Sequence, residues 1–338
     1  MAPSERLSDV PPLRYLSAAD VIAAMPDIDD RLTLAERTLT ALVSDAELPP
    51  KIGIHPRPAG AFAHAMPAYL RGVDPDGGED RMGMKWVAGF ATNNDRGLPA
   101  ISAIVVLNDP VTGLPIAIVD GGPITAQRTA AVSGVAIRRF KPVVAGRPLR
   151  AALIGAGTQG RSHLPVLGHV LPGVELRLFD RHPERVAALA EIARATAGIG
   201  SVEAAPESRA AVEGADVVVT AASFGPVRQV MTDDWLAADA LVVPVDYATY
   251  CAAEIARDAG LFLVDDRGQF LANRDAGAFD GYPDPTATLG EAILDGTRRP
   301  AAGRVVTTHL GVGLADVVFG SAILRRAEEL GLGTVLRR

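Results

Sequence analysis

The feature that most constrains the fold is a glycine loop, Gly155-Ala156-Gly157-Thr158-Gln159-Gly160. It directly follows the apolar run Ala151-Ala152-Leu153-Ile154 and directly precedes a helical pattern. A GxGxxG alone is weak, because glycine loops also serve as plain turns. In this setting Gly155 can make the tight turn out of a strand, Gly157 can let bare backbone approach a diphosphate, and Gly160 can let helix pack closely on strand. The helix N-terminus that follows turns N–H groups and its positive dipole end toward phosphate. Beyond it, strand and helix alternate: Glu175 to Phe179, Pro183 to Thr196 as helix, then Ser201 to Ala205, Asp216 to Thr220, Leu241 to Val245 and Leu261 to Val264. Parallel neighbours need crossover helices, so this predicts an α/β fold with a doubly wound parallel sheet of Rossmann type.

Asp180 ends the second strand, 20 residues after Gly160. A carboxylate there accepts hydrogen bonds from ribose hydroxyls and repels a 2′-phosphate, which favours NAD over NADP. Arg181 and His182 follow directly and are able to grip a phosphate, so NADP stays the less favoured alternative. Thr220, Ala221, Ala222 and Val245 stand at the carboxyl ends of two further strands, where open α/β sheets place ligands, and join the cofactor candidates.

The chain has 338 residues, too many for one small core, and two domains are expected. With 48% apolar and 22% charged residues it has a normal globular balance, and a net charge of −7 without a long basic run argues against nucleic acid. Cys251 is the single cysteine, so no internal disulfide can form and thiolate-rich zinc sites are absent; no metal site is expected. No signal-like or spanning apolar segment is visible, which predicts a soluble cytoplasmic protein without a membrane partner.

Ahead of the glycine loop the period differs. Ser17 to Asp20 caps one helix, and Ile28 to Ser44 reads as another. Ala61 to Leu70, Gly83 to Gly89, Ile101 to Asn108 and Leu114 to Asp120 are short apolar runs between Gly, Pro, Asn and Asp, expected as strands of an antiparallel or mixed sheet. Asp109 to Gly113 supplies a hairpin turn. A helix from Thr125 to Phe140 ends at Lys141-Pro142. The stretch Gly311 to Leu330 reads as a long helix. The expected division is residues 1–125, completed by 312–338, as an α+β substrate and dimerisation domain, and 126–311 as the dinucleotide domain. Loops from Gly72 to Arg81 and from Asp266 to Asp284, rich in Gly, Pro and Asp, are expected to wall the pocket.

The segment Thr125-Ala126-Gln127-Arg128-Thr129-Ala130-Ala131 resembles the signature of the ornithine cyclodeaminase and mu-crystallin family. Met66-Pro67-Ala68-Tyr69, Gly83 to Val87, the Gly97-Leu98-Pro99 turn, Pro115 to Asp120 and Gly311 to Asp316 agree in order and spacing, so the resemblance spans nearly the whole chain. It implies an NAD(P)-dependent enzyme, usually a homodimer, acting at a carbon that bears an amine or imine. The activities it covers are amino-acid dehydrogenase, imine reductase and ammonia-releasing cyclodeaminase. It also allows a mu-crystallin-like small-molecule binder, or an accessory protein of amine or ectoine degradation. By the resemblance, Lys51 and Arg128 clamp a substrate carboxylate, Lys85 is the active-site lysine, Thr129 lies near the cofactor phosphates, and Asp246 handles the amine proton. Met66 and His64 join the substrate set. His309, ahead of Gly311, is a further cofactor-side candidate, although a lone histidine is more often structural.

Oxidising an amine needs an anchored carboxylate, a base for the amine proton and a Cα–H aimed at nicotinamide. Arg128 can pair bidentately with a carboxylate, whereas Lys51 is a point charge. Strand alternation alone would turn Lys85 outward to solvent; the resemblance instead favours a lowered pKa and a proton-transfer or electrophilic role. Asp246 has a competing reading as the N-cap of a helix from Tyr250 to Ala259. Two departures weigh against strict cyclodeamination. Cyclodeaminases carry a glutamate shortly before the Met-Pro, where this chain has His64. They also follow the aspartate with a Pro-Gly-Lys-type stretch, where this chain has Tyr247-Ala248-Thr249-Tyr250. The expected partner is a small amino or imino acid.

Overall fold

A computed structural model describes residues 10–72, 80–223 and 227–337. It divides into two compact units, Met1–Arg128 with Val312–Arg338, and Thr129–Gly311. Residues 73–79 of the first expected pocket loop lie outside the described residues.

The first unit is built on one mixed sheet. Strands β1 (Leu13–Leu16), β2 (Ala46–Glu47), β3 (Ile52–Ile54), β4 (Phe62–Leu70), β5 (Arg81–Gly89), β6 (Ile101–Asn108) and β7 (Pro115–Asp120) are joined by the C-terminal strand Thr334–Leu336. From that C-terminal strand the order is β1-β7-β6-β5-β4-β2, with β3 also on β4; β1 runs parallel to β7 and the other pairs are antiparallel. Helix α1 (Ala18–Ala23) opens with a reciprocal capping box between Ser17 and Asp20, and α2 (Ile28–Ser44) opens with Asp27 accepting from the Asp30 amide. The β6–β7 turn is held by Asp109, whose Oδ1 accepts from the Val111 and Thr112 amides, and closes at Gly113 in the left-handed region (φ 73°). The C-terminal helix Gly313–Glu329 packs on β4, β5 and β6. Gly313 lies so close that a Cβ there would come within 2.4 Å of the Met66 carbonyl oxygen.

The first unit ends inside helix α3 (Gly121–Phe140), between Arg128 and Thr129. In the second unit, β8 (Arg150–Ile154), α4 (Thr158–Val170), β9 (Val174–Phe179), α5 (Pro183–Arg194), β10 (Ile199–Ala204), β11 (Val217–Thr220), β12 (Leu241–Pro244), β13 (Leu261–Val264), β14 (Ala287–Thr288) and β15 (Val305–Thr308) form the doubly wound part. Every strand pair is parallel, in the order β10-β9-β8-β11-β12-β15-β13-β14. The direction of winding reverses between β8 and β11, the switch point at which such sheets open a crevice beyond their carboxyl ends. Strands β11, β12, β13 and β15 are buried throughout, as strands covered on both faces must be.

Three expectations need correction. Val305–Thr308, unassigned in the sequence, is an inner strand between β12 and β13. The stretch Asp266 to Asp284 is no open loop: Asp266 caps a helix, Arg267–Asp275, Phe270 and Tyr282 bury their rings against Phe262, and Phe279 packs on both of them. The aromatic burial outweighs the turn-forming composition. The helix expected from Tyr250 to Ala259 contracts to Ala253–Arg257 with Ala252 as N-cap, so Asp246 caps no helix.

Candidate active site

The glycine loop does what its spacing asked of it. Gly155 has φ 107°, and a Cβ there would meet the Ala221 carbonyl oxygen at 2.3 Å. A Cβ on Gly160 would meet the Gly155 carbonyl oxygen at 2.0 Å, so the first turn of α4 packs directly on the loop. Around Gly157, the N-cap of α4, a Cβ would meet nothing within 4 Å. Exposed backbone at a helix N-terminus, with room beside it, fits a diphosphate. Ala156, Thr158 and Gln159 complete this loop. Asp180 stands under it, its Oδ2 accepting from the Ala156 amide at 2.7 Å and its Oδ1 from the His182 amide at 2.9 Å. Arg181 is exposed and its Nε donates to His182 Nε2 at 3.2 Å.

Across the switch point, Thr220, Ala221 and Ala222 leave β11, while Val245 and Asp246 leave β12. Asp246 is buried (3% exposed); it accepts from the Thr220 hydroxyl and the Ala222 amide, both at 2.9 Å. Burial disfavours its charge more than these and its other neutral donors restore it, and its carboxyl is pushed up to about 7. The next residue, Tyr247, has φ 59°, an uncommon conformation for an aromatic side chain and one that clusters at functional sites.

His309 follows β15 and belongs to a buried relay. His163 Nδ1 lies 2.7 Å from the Gln159 carbonyl oxygen, His163 Nε2 lies 2.8 Å from Ser133 Oγ, and Ser133 Oγ lies 2.9 Å from His309 Nε2. A carbonyl only accepts, so His163 donates from Nδ1 and its Nε2 accepts from the Ser133 hydroxyl. Ser133 Oγ then accepts from His309 Nε2–H, which leaves the lone pair of a neutral His309 on Nδ1. Burial pushes His163 down to about 4, so it is neutral at physiological pH. Ser133 and His163 were not singled out in the sequence; Ser133 is a polar residue inside an otherwise apolar helical run, which was its available signal, whereas His163 follows Arg161 and Ser162 and had none. Thr129 is buried on α3.

The first unit gathers the remaining candidates. Cross-strand register sets Met66 opposite Lys85 and His64 opposite Val87, so His64, Met66 and Lys85 share the face covered by the C-terminal helix. Trp86 points to the other face and is 38% exposed. Lys85 is inward and 2% exposed, contrary to the solvated lysine that alternation alone gives. Its Nζ lies 3.1 and 3.0 Å from the two carboxylate oxygens of Asp316 and 3.3 Å from Thr125 Oγ1. Arg128 Nε lies 3.4 Å from Asp316 Oδ1. Burial brings Lys85 down to about 8, opposed by Asp316 and reinforced by Arg128 and Lys51. Asp316, fully buried on the C-terminal helix, is the residue that sequence reasoning passed over. Its signals were an aspartate inside the apolar run Gly313 to Phe319 and its place at the end of the family-like stretch Gly311 to Asp316. Lys51 directly precedes β3, and its charge is felt at both Lys85 and His64.

A family model described as the ornithine cyclodeaminase/mu-crystallin family matches residues 17–270. The chain belongs to this family. Nodulation efficiency protein NfeD of Rhizobium meliloti is 36% identical over 97% of this chain and 99% of its own length. Ketimine reductase mu-crystallin of Mus musculus is 29% identical over 78% of this chain and 79% of its own length. Among solved structures, the Thermococcus litoralis Δ1-pyrroline-2-carboxylate reductase in complex with NADH and L-proline superposes with TM-score 0.81 at 25% identity, covering 95% of this chain and 99% of that one. Among the described residues, no helix is long and apolar enough to cross a membrane, and no group of three His, Cys, Asp or Glu side chains is disposed to hold a metal.

Proposed function

We propose that this protein is an NAD-dependent oxidoreductase that interconverts a small amino acid and its imine. The observation that carries the reading is Asp246. It is a buried carboxyl at the end of a central strand, next to the switch-point loop, held among the described residues by neutral donors and poised near neutrality. Such a group can take a proton from an amine and return it to an imine with little cost in either direction. When bound at the glycine loop, NAD accepts or returns the Cα hydrogen as hydride. Asp180, with its ring of amides, favours the unphosphorylated ribose.

Arg128 and Lys51 supply positive charge for the substrate carboxylate, and Met66 a soft apolar wall beside it. Lys85, brought down to about 8, can donate a hydrogen bond to the reacting nitrogen or yield a proton. His309, with its tautomer fixed by Ser133, serves on the cofactor side. Exposed Ile52, Ile54, Trp86 and Ile104 give the sheet of the first unit an apolar outer face, which supports a homodimer. A single, buried cysteine is in keeping with the cytoplasm.

The test is NADH consumption with 2-oxo acids plus ammonia or methylamine and with cyclic imines, alongside NAD reduction by amino acids. Turnover with at least one member supports the reading, and Asp246→Asn is expected to lower it by about 10²–10⁴-fold while NADH fluorescence still reports binding. Absence of turnover across the whole panel, with NADH bound, would sink the enzyme reading.

A further inference from the structure

The turn that carries Asp246 is held in a conformation its sequence does not favour. The Asp246 carbonyl oxygen accepts from the Thr249 amide at 3.1 Å, which closes a tight turn over Asp246 to Thr249, and Tyr247 at its second position has φ 59°. Turns with a left-handed residue at that position favour glycine, asparagine or aspartate. Among the described residues the other non-glycine residue in the left-handed region is Gln229, with φ 55°. The two meet: the Gln229 backbone amide is shared between the Ala248 and Thr249 carbonyl oxygens, at 3.3 and 3.0 Å. The Gln229 side chain reaches two further segments. Its Oε1 accepts from the Ala253 amide at 2.8 Å, where the helix Ala253–Arg257 begins, and its Nε2 donates to the Asp280 carbonyl oxygen at 2.9 Å. An amide N–H only donates and a carbonyl only accepts, so these partners fix the orientation of the carboxamide. Beside Asp280, Phe279 is fully buried against Phe270 and Tyr282, with centroids 4.8 and 5.3 Å away, and its ring stacks on that of Tyr247 at 5.5 Å.

Strained backbone persists only where its surroundings over-determine it, and here one residue joins the turn of Asp246 to a helix start and to the aromatic loop. Thr220 and Ala222 tie the Asp246 carboxyl to the end of β11 but do not set the direction in which the chain leaves it. Without the Gln229 side chain the turn can relax to an ordinary φ at Tyr247, which rotates the peptide after Asp246 and opens its carboxyl to water. We infer that Gln229 is a positioning residue for Asp246, its backbone amide and carboxamide locking the left-handed turn that keeps the carboxyl in place and dry. This assignment rests on the reading of Asp246 as the base and adds the residue that holds it. The titratable groups that feel Asp246 are Tyr250, Cys251 and Tyr282; burial raises all three, so they stay neutral from pH 5 to about 8.

Gln229→Gly removes both side-chain bonds while permitting the same φ, so it unlocks the turn without adding backbone strain. Gln229→Asn also tolerates that φ and keeps a carboxamide, one methylene too short, and should act in the same direction with a smaller effect. Carbon NMR of labelled aspartate carboxyls in the full-length protein, with the Asp246 signal assigned by its loss in Asp246→Asn, follows its titration without any turnover. Asp246 should titrate near 7 in the wild type and at least about one pH unit lower, toward 3.8, in Gln229→Gly, because water regains the carboxyl. With the best substrate of the panel, kcat should fall at least about tenfold while KM and NADH affinity stay within about threefold. An Asp246 titration and a kcat that both stay at wild-type values in the two variants, with only the denaturation midpoint lowered, overturn the inference. A shifted titration in Gln229→Gly with no turnover of any substrate would reject the oxidoreductase and keep the positioning of Asp246. Turnover by a wild type whose Asp246 titrates near 3.8 would keep the oxidoreductase and reject the held, dry carboxyl.

Discussion

Asp246 and Asp316 are both aspartates withdrawn from water, one in each unit, and their surroundings differ in one respect. Asp316 stands against an ammonium and a guanidinium, with Lys85 Nζ 3.0 Å away and Arg128 Nε 3.4 Å away. Among the described residues, Asp246 is met by a hydroxyl and by backbone amides. A buried carboxylate between cations is a fixed structural charge whose loss strands its partners. A buried carboxyl among neutral donors is a proton carrier, because either state is reachable near pH 7. The same residue type therefore reads as scaffold in one unit and as base in the other, and the distinction comes from partners rather than from burial.

The largest expected effect is on Asp246. Asp246→Asn should lower turnover by about 10²–10⁴-fold, the usual contribution of a positioned base, with NADH affinity kept; steady-state rates and a fluorescence titration measure the two. If NADH binding fell in parallel with rate, Asp246 would be scaffold as well, and the contrast would fail. Next comes Asp316→Asn, which leaves Lys85 and Arg128 buried without their shared anion and should cost about 3–5 kcal/mol in chemical denaturation. A cost near that of an exposed salt bridge, about 0–1 kcal/mol, would show that the pair carries little.

Smaller effects follow from the relay. Ser133→Ala removes the hydroxyl between two imidazoles and should destabilise the protein by about 1–3 kcal/mol, since a buried histidine nitrogen loses its partner. Nitrogen NMR of labelled histidines should find opposite tautomers, Nδ1–H for His163 and Nε2–H for His309; matching tautomers would contradict the relay. The smallest and broadest signal is in stability against pH. The folded Asp246 holds its proton up to about 7, above its ordinary 3.8. Its contribution is therefore present at low pH and is lost as pH rises through about 7. Lys85, brought down from 10.5 to about 8, sheds its proton early on folding, so its penalty is relieved as pH rises between about 8 and 10.5. Comparing denaturation midpoints of wild type, Asp246→Asn and Lys85→Met across this range isolates each window.

Much of the second unit was legible because its logic is local. The glycine loop, Asp180 and the strands from β8 to β13 lie in short runs whose periodicity and punctuation speak for themselves, and α2 spans Ile28–Ser44 as the sequence implied. Thr220 and Asp246 were readable as strand-end residues for the same reason. The first unit's cluster is non-local: Lys85 and Asp316 are separated by 231 positions, and nothing near either one announces the other. Strands β1 and Thr334–Leu336 escaped for a similar cause, being short segments that acquire strand character by pairing, β1 with β7 and Thr334–Leu336 with β1. Val305–Thr308 is a four-residue run whose placement depends on β12 and β13 around it. Without the family resemblance, alternation would have turned Lys85 to solvent; what holds it inward is Asp316 on the covering helix.

The pH dependence of kcat/KM for amine oxidation is the most direct test of Asp246 as the base. It must be ionised to accept the amine proton, so the rate should climb tenfold per pH unit below about 7 and level off above it. The opposite limb should appear for imine reduction, and the limb near 7 should vanish from the residual activity of Asp246→Asn. A profile flat from pH 6 to about 8 in the wild type, or a limb near 7 that persists in Asp246→Asn, would contradict the assignment of Asp246 as the proton carrier.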